Sequence, residues 1–156
     1  MLSEDSLKKK FKTVFIASDH GGVDLKSHLI GRFPFIPWKD LGPISSESVD
    51  YPDYAAKLCS EIKPHLQDSC GILICGSGQG MVMAANRHRG IRAALIYDRE
   101  SARSSRNDDD ANVMALPAHL LAGDLHEASV IVEIFMLTPF AAAERFKRRI
   151  RELDNL

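Results

Sequence analysis

With 156 residues, 45% of them hydrophobic and 26% charged, the chain has enough apolar material for one domain with a sizeable core. A formal net charge of -1 excludes a global attraction to nucleic acid or to an anionic membrane, so any anion must be recognised locally. No apolar run approaches the roughly 20 residues that cross a bilayer, and three cysteines without zinc-type spacing fit a reducing, cytoplasmic setting with no metal site.

Residues 1–12 are polar and lysine-bearing, without the apolar stretch of a secretory signal, and are expected to be a frayed lead-in to a single domain over 13–156. Residues 13–17 are β-rich and apolar, and Ser18-Asp19-His20-Gly21-Gly22 marks a strand-to-helix turn. From Val23 the spacing of Leu25, Leu29 and Phe33, with Lys26 and Arg32 off that stripe, predicts an amphipathic helix that stops before Pro34. A weaker strand follows near residues 36–41. A loop rich in turn formers over 42–50 then leads to Tyr51-Pro52, which opens a helix ending at Pro64.

Ile72, Leu73 and Ile74 form a short apolar run bounded by glycines, the pattern of a strand covered on both faces. Cys75 ends that strand, and Gly76-Ser77-Gly78-Gln79-Gly80 follows at once, able to turn tightly and aim several N–H groups at one point. A helix over 81–87, a strand over 91–97 ending at Asp98, and a helix over 99–108 come next. A strand over 113–116, a helix over 124–137 and a last helix over 140–153 complete the chain. This alternation predicts a three-layer α/β/α, Rossmann-like fold with a five-stranded parallel sheet and right-handed crossovers. Ligands of such sheets bind outside the strands' carboxyl ends, which is expected to put Asp19-His20, residues 75–80, Asp98 and residues 108–112 on one rim.

Free cysteine is most often a packed core residue, and Cys59 and Cys70 read that way. Cys75 differs, because a thiolate beside an amide nest pairs a base with donors that can stabilise an oxyanion. The glycine run also resembles a dinucleotide fingerprint with Asp98 as its ribose acid, but Met81 stands where G-x-G-x-x-G needs glycine, and the run follows the third strand instead of the first. Arg145 and Arg149 share one face of the last helix and could clamp a phosphate, although a solvated basic helix is the simpler reading of any one arginine taken alone. Asp108-Asp109-Asp110 reads first as a solvated helix end.

Taken together, Ser18-Asp19-His20-Gly21-Gly22, Asp50-Tyr51-Pro52, the segment 71–80 with Ala84-Ala85-Asn86, Gly90-Ile91-Arg92-Ala93-Ala94 and Asp110-Ala111-Asn112-Val113 resemble the ribose-5-phosphate isomerase type B family, which includes galactose-6-phosphate isomerase subunits. The resemblance runs from about residue 13 to residue 149. It implies aldose–ketose isomerisation of a small sugar phosphate without metal or organic cofactor, in a homodimer with shared active sites, with a tetramer left open. It implies Cys75 as the base, and Ser77 with the amides of Gly76, Gly78, Gln79 and Gly80 as the enediolate's hosts. Asp19 and Tyr51 would meet sugar hydroxyls, and His20, Arg145 and Arg149 the phosphate. Two departures stand out. Asp108 and Asp109 occupy the family's His-Asn pair, so a carboxylate takes the place of the ring-opening imidazole, and His119 replaces an arginine expected at the phosphate. Ribose 5-phosphate is the default substrate the resemblance implies, but others stay open: a tetrose 4-phosphate cannot close a furanose ring and needs no ring-opening group, a hexose 6-phosphate is another option, and a sugar-phosphate-binding protein without turnover is the remaining alternative.

Overall fold

The computed structural model describes residues 4–156. Strands β1 (Thr13–Ser18), β2 (Trp38–Asp40), β3 (Ser69–Cys75), β4 (Ala93–Leu95) and β5 (Val113–Pro117) form one sheet in the order β2-β1-β3-β5-β4. Every pairing is parallel. The helices are α1 (Glu4–Lys10), α2 (Val23–Arg32), α3 (Tyr51–Ile62), α4 (Gln79–Ala85), α5 (Arg99–Asp109), α6 (Ala118–Leu121), α7 (Leu125–Leu137) and α8 (Glu144–Asp154). The architecture is the expected three-layer α/β/α, Rossmann-like fold.

Side chains of a strand alternate between faces, and the two cores divide accordingly. Val14, Ile16, Ile72, Ile74, Met114 and Leu116 meet α2, α5 and α7 through Leu25, Leu29, Ala102, Ile131 and Phe135. Phe15, Ala17, Leu73, Cys75, Val113 and Ala115 meet α3 and α4 through Ala55, Leu58, Ile62, Met81 and Ala85. Both faces are covered, which is why the strands read as unbroken apolar runs. Cys75 falls on the α3/α4 face by this alternation.

From β1 the chain passes through α2 to β2 at the sheet edge, then returns through α3 to β3 on the other side of β1. The carboxyl ends of β1 and β3 thus lie side by side, with Ser18 opposite Ile74, where the connections leave in opposite directions. A crevice opens at such a point.

Three local expectations are corrected and one element is added. Residues 4–10 are not frayed: they form α1, and Leu7 is 3% exposed in the core beside α7, while residues 1–3 lie outside the described residues. The last helix begins at Glu144, because Ala141 N–H donates to the Asn107 carbonyl (3.0 Å) and Ala142 takes a φ of 54°, a left-handed geometry that helix continuation forbids. The short helix α6 was not foreseen. Residues 108–112 do not share the rim of Cys75. Asp98 leaves the carboxyl end of β4, α5 carries the chain back, and β5 starts at Val113 opposite Gly71 in the first half of β3. Asp108 and Asp109 therefore stand at the strands' amino ends, separated from the Cys75 rim by the length of β5, roughly 16 Å.

Candidate active site

The site grows from the ends of β1 and β3. Asp19 N–H donates to the Ile74 carbonyl (2.9 Å), which ties the β1 exit to β3, and Asp19 Oδ1 accepts from Gly21 N–H (2.8 Å). Val49 N–H donates to His20 Nδ1 (3.2 Å). The same Nδ1 lies 3.3 Å from the Val49 carbonyl oxygen, so the Val49 backbone engages this nitrogen and Nε2 is left for a ligand.

Cys75 ends β3 with 5% exposure, and its Sγ accepts from Gly78 N–H at 3.1 Å. Gly78 has a φ of 74°, so the turn that brings this amide onto the sulfur is one that L side chains rarely adopt. Ser77 Oγ accepts from Gln79 N–H (3.3 Å) at the entry to α4. The surrounding rings press on the glycines. A methyl group at Gly76 would lie 2.7 Å from His119 Cε1, and one at Gly80 would lie 2.8 Å from the Tyr51 ring. His119 N–H also donates to the Gly76 carbonyl (3.0 Å). Asp19, His20, Tyr51, Cys75, Ser77, Gly76, Gly78, Gln79, Gly80 and His119 are thus brought to one rim.

Asp108, Asp109 and Arg149 are brought together elsewhere, on the amino side of the sheet, with Arg145 about one turn before Arg149 on α8. Asn107 Nδ2 donates to Asp108 Oδ1 (2.7 Å). Burial raises the pKa of the Asp109 carboxyl above its ordinary value, the neighbouring Asp108 charge raises it further, and the Arg149 guanidinium partly offsets both. On α8, Lys147 pairs with Glu144 (3.1 Å) and Arg148 with Glu152 (3.8 Å). Among the described residues neither Arg145 nor Arg149 has a carboxylate at ion-pairing distance, and both are exposed. A cavity of about 620 Å³ lies on this same side, lined by Arg87, Arg92, Asp109 and Asp154 among others, and Cys75 does not reach it.

The competing roles fare differently. Asp98 Oδ1 accepts from Ser101 N–H (2.7 Å) in a capping box, and these bonds hold its carboxyl below the usual range, so the candidate ribose acid serves as a helix cap. Met81 is fully buried in the core. Cys59 and Cys70 are buried as well, and burial pushes their thiols up to about 11 and about 12. Lys26, taken from its spacing as a solvent-side residue, is instead buried. Its Nζ donates to Asp40 Oδ1 (2.6 Å) and the Pro43 carbonyl (2.7 Å), pinning the base of the loop that carries Val49 to His20. Nothing in helical spacing alone reveals a lysine turned under a loop toward an acid at the end of the next strand. Among the described residues no helix is long and apolar enough to cross a membrane, and no cluster of three or more His, Cys, Asp or Glu side chains is placed to hold a metal ion.

Known proteins share this fold and much of this sequence. The chain is 42% identical to a ribose 5-phosphate isomerase of Thermotoga maritima, whose crystal structure superposes with a TM-score of 0.87 over 92% of this chain and 98% of that one. Ribose-5-phosphate isomerase B of Mycoplasma genitalium, solved with bound ribulose-5-phosphate, is 35% identical with a TM-score of 0.86, covering 92% and 94% of the two chains. Ribose-5-P isomerase B of Listeria innocua is 40% identical over 114 residues, 72% of this chain and 76% of that protein. A family model described as ribose/galactose isomerase matches residues 14–153. Sequence and fold lead to one conclusion: the chain belongs to the ribose/galactose isomerase family.

Proposed function

We propose that the protein is an aldose–ketose isomerase of sugar phosphates that interconverts ribose 5-phosphate and ribulose 5-phosphate, with Cys75 as its base. The observation that carries this reading is the Cys75 sulfur, held 3.1 Å from the Gly78 amide at the junction of β1 and β3, beside Asp19 and Tyr51. The Cys75 thiolate removes the proton from C2 of the open-chain aldose. Charge then spreads over an enediolate whose oxygens are met by Ser77 and the amides of residues 76–80. The hydroxyl proton passes from O2 to O1, and the thiol returns its proton to C1, giving the ketose. Asp19 and Tyr51 orient the hydroxyls, and His20 meets the phosphate through Nε2.

Arg145 and Arg149 complete the phosphate clamp only from a second copy, because in one protomer they lie at the other end of the sheet. This supports a homodimer in which each site takes Cys75 from one subunit and Arg145 and Arg149 of the partner subunit. Asp108 and Asp109 would enter with them. The bound ribulose-5-phosphate of the Mycoplasma genitalium protein supports a pentose as the first substrate to offer. The acidic pair favours a second reading, a sugar that needs no ring-opening imidazole, such as a tetrose 4-phosphate. Ribose 5-phosphate, erythrose 4-phosphate and galactose 6-phosphate offered in deuterated water decide between them. The expected result is deuterium entering the carbon that receives the proton in one of these, with Cys75→Ala slower by about 10³-fold. No incorporation from any of them, or equal rates in wild type and Cys75→Ala, would refute the proposal.

A further inference from the structure

Helix α8 is poorly seated for an element that carries a ligand clamp. Phe146 is its one buried residue, at 9% exposure, and most of its surface is charged. Ile150 is only half-buried and the Arg145 guanidinium lies 4.4 Å from the Phe146 ring centroid, so few apolar contacts set the rotation of the helix, and with it the direction of Arg145 and Arg149. Its last turn, however, is tied down. Arg92 Nη1 donates to both carboxylate oxygens of Asp154, at 3.2 and 3.0 Å.

The same guanidinium is itself fixed. Arg92 Nε and Nη2 donate to the Asp110 carbonyl (3.1 and 3.0 Å), and Nη2 also reaches Asp110 Oδ2 (3.3 Å). The other oxygen of Asp110 takes Arg106 Nη1 at 2.8 Å, and Arg106 continues to the Ala111 carbonyl (2.6 Å). Arg92 N–H donates to Asn112 Oδ1 (2.8 Å), so its backbone is anchored to the entry of β5. The side chains of Arg92 and Arg106 are only 15% and 11% exposed, which leaves two guanidinium ions and two carboxylates in a neutral, half-desolvated knot. This knot joins the entry of β4, the end of α5 and the end of α8. Arg149 lies five residues before Asp154, about 7.5 Å along the helix.

We infer that the Arg92–Asp154 pair is a positioning device, setting the rotation of α8 so that Arg145 and Arg149 present their guanidinium groups together to a phosphate. The inference rests on the phosphate role given to those arginines above. A fork bound through several fixed donors holds a direction as well as a distance, which a lysine or a lone contact would not. Arg92 keeps its Nε and Nη2 bonds to Asp110 when Asp154 loses its charge, and an asparagine oxygen can still accept from Nη1, so Asp154→Asn weakens the tie on the helix end without leaving the guanidinium bare.

The test compares wild type, Asp154→Asn and Asp154→Glu, using inorganic phosphate as a calorimetric ligand and as a competitive inhibitor, and ribose 5-phosphate as substrate. Asp154→Asn is expected to weaken phosphate binding and raise KM together, by about tenfold, with kcat held within about twofold, because a misdirected clamp loses binding common to ground and transition states. Asp154→Glu is expected to recover most of that loss. Phosphate binding by Asp154→Asn as tight as in wild type, or a fall in kcat with KM unchanged, overturns the inference, as does a wild type with no measurable phosphate affinity. A wild type that binds phosphate but isomerises no sugar phosphate refutes the proposed activity alone, and the phosphate titration still decides the role of the pair.

Discussion

Cys75 differs from the two other cysteines only in where the backbone delivers it. All three are buried, yet one sulfur receives an amide proton at a strand end while the others sit in apolar packing that disfavours their thiolates. That distinction was legible in the sequence, because a short apolar run followed by alternating glycines has few other structural meanings. The location of Asp108 was not legible to the same degree: residues 108–112 close a helix, and only the tracing of α5 back across the sheet shows which rim they reach. The residue scale carries a pH prediction there. The Asp109 carboxyl has a folded pKa above its ordinary 3.8, so the folded chain binds that proton more tightly than the unfolded one. Its contribution to stability is therefore lost as pH rises through this range. Asp109→Asn is expected to match wild type in urea midpoint near about pH 3.5 and to exceed it near about pH 7. A variant less stable than wild type at neutral pH would contradict the sign.

Among the elements, β1, α2, α3 and β3 could be placed from local pattern, since glycine and proline punctuate runs of clear period. The opening of α8 could not. Alanines at 141–143 favour a helix, but the bond from Ala141 N–H to Asn107 and the left-handed Ala142 are tertiary demands that propensity does not register. The loop after β2 is another such case, since its anchor is Lys26, 2% exposed. Lys26→Met keeps the apolar stem and removes the ammonium, leaving the Pro43 carbonyl without its donor and Asp40 without its cation, with Gly42 N–H still donating to it. The expected cost is about 2–4 kcal/mol in urea unfolding, with a rise in KM as Val49 loosens its hold on His20. Unchanged stability would show that the loop is held by other contacts.

For the whole molecule, the parallel strands set the two halves of the proposed site at opposite ends of the sheet. Cys75 and its amides sit at one end, and the arginines of α8 sit at the other. If two copies complete each other, Cys75→Ala and Arg149→Ala should each be nearly inactive alone. Equal amounts, unfolded and refolded together, should regain about a quarter of wild-type activity, because half the dimers would carry one intact site of two. No recovery in a mixture shown to contain mixed dimers would argue that each site is built within one chain. Helix α1 raises a practical matter for such preparations. Leu7 fills a seat beside α7, outside the segment matched by the family model. Trimming the protein to its first strand would uncover a greasy dent on the flank opposite α3 and α4, and the damage would show as heat-induced clumping long before any change in turnover.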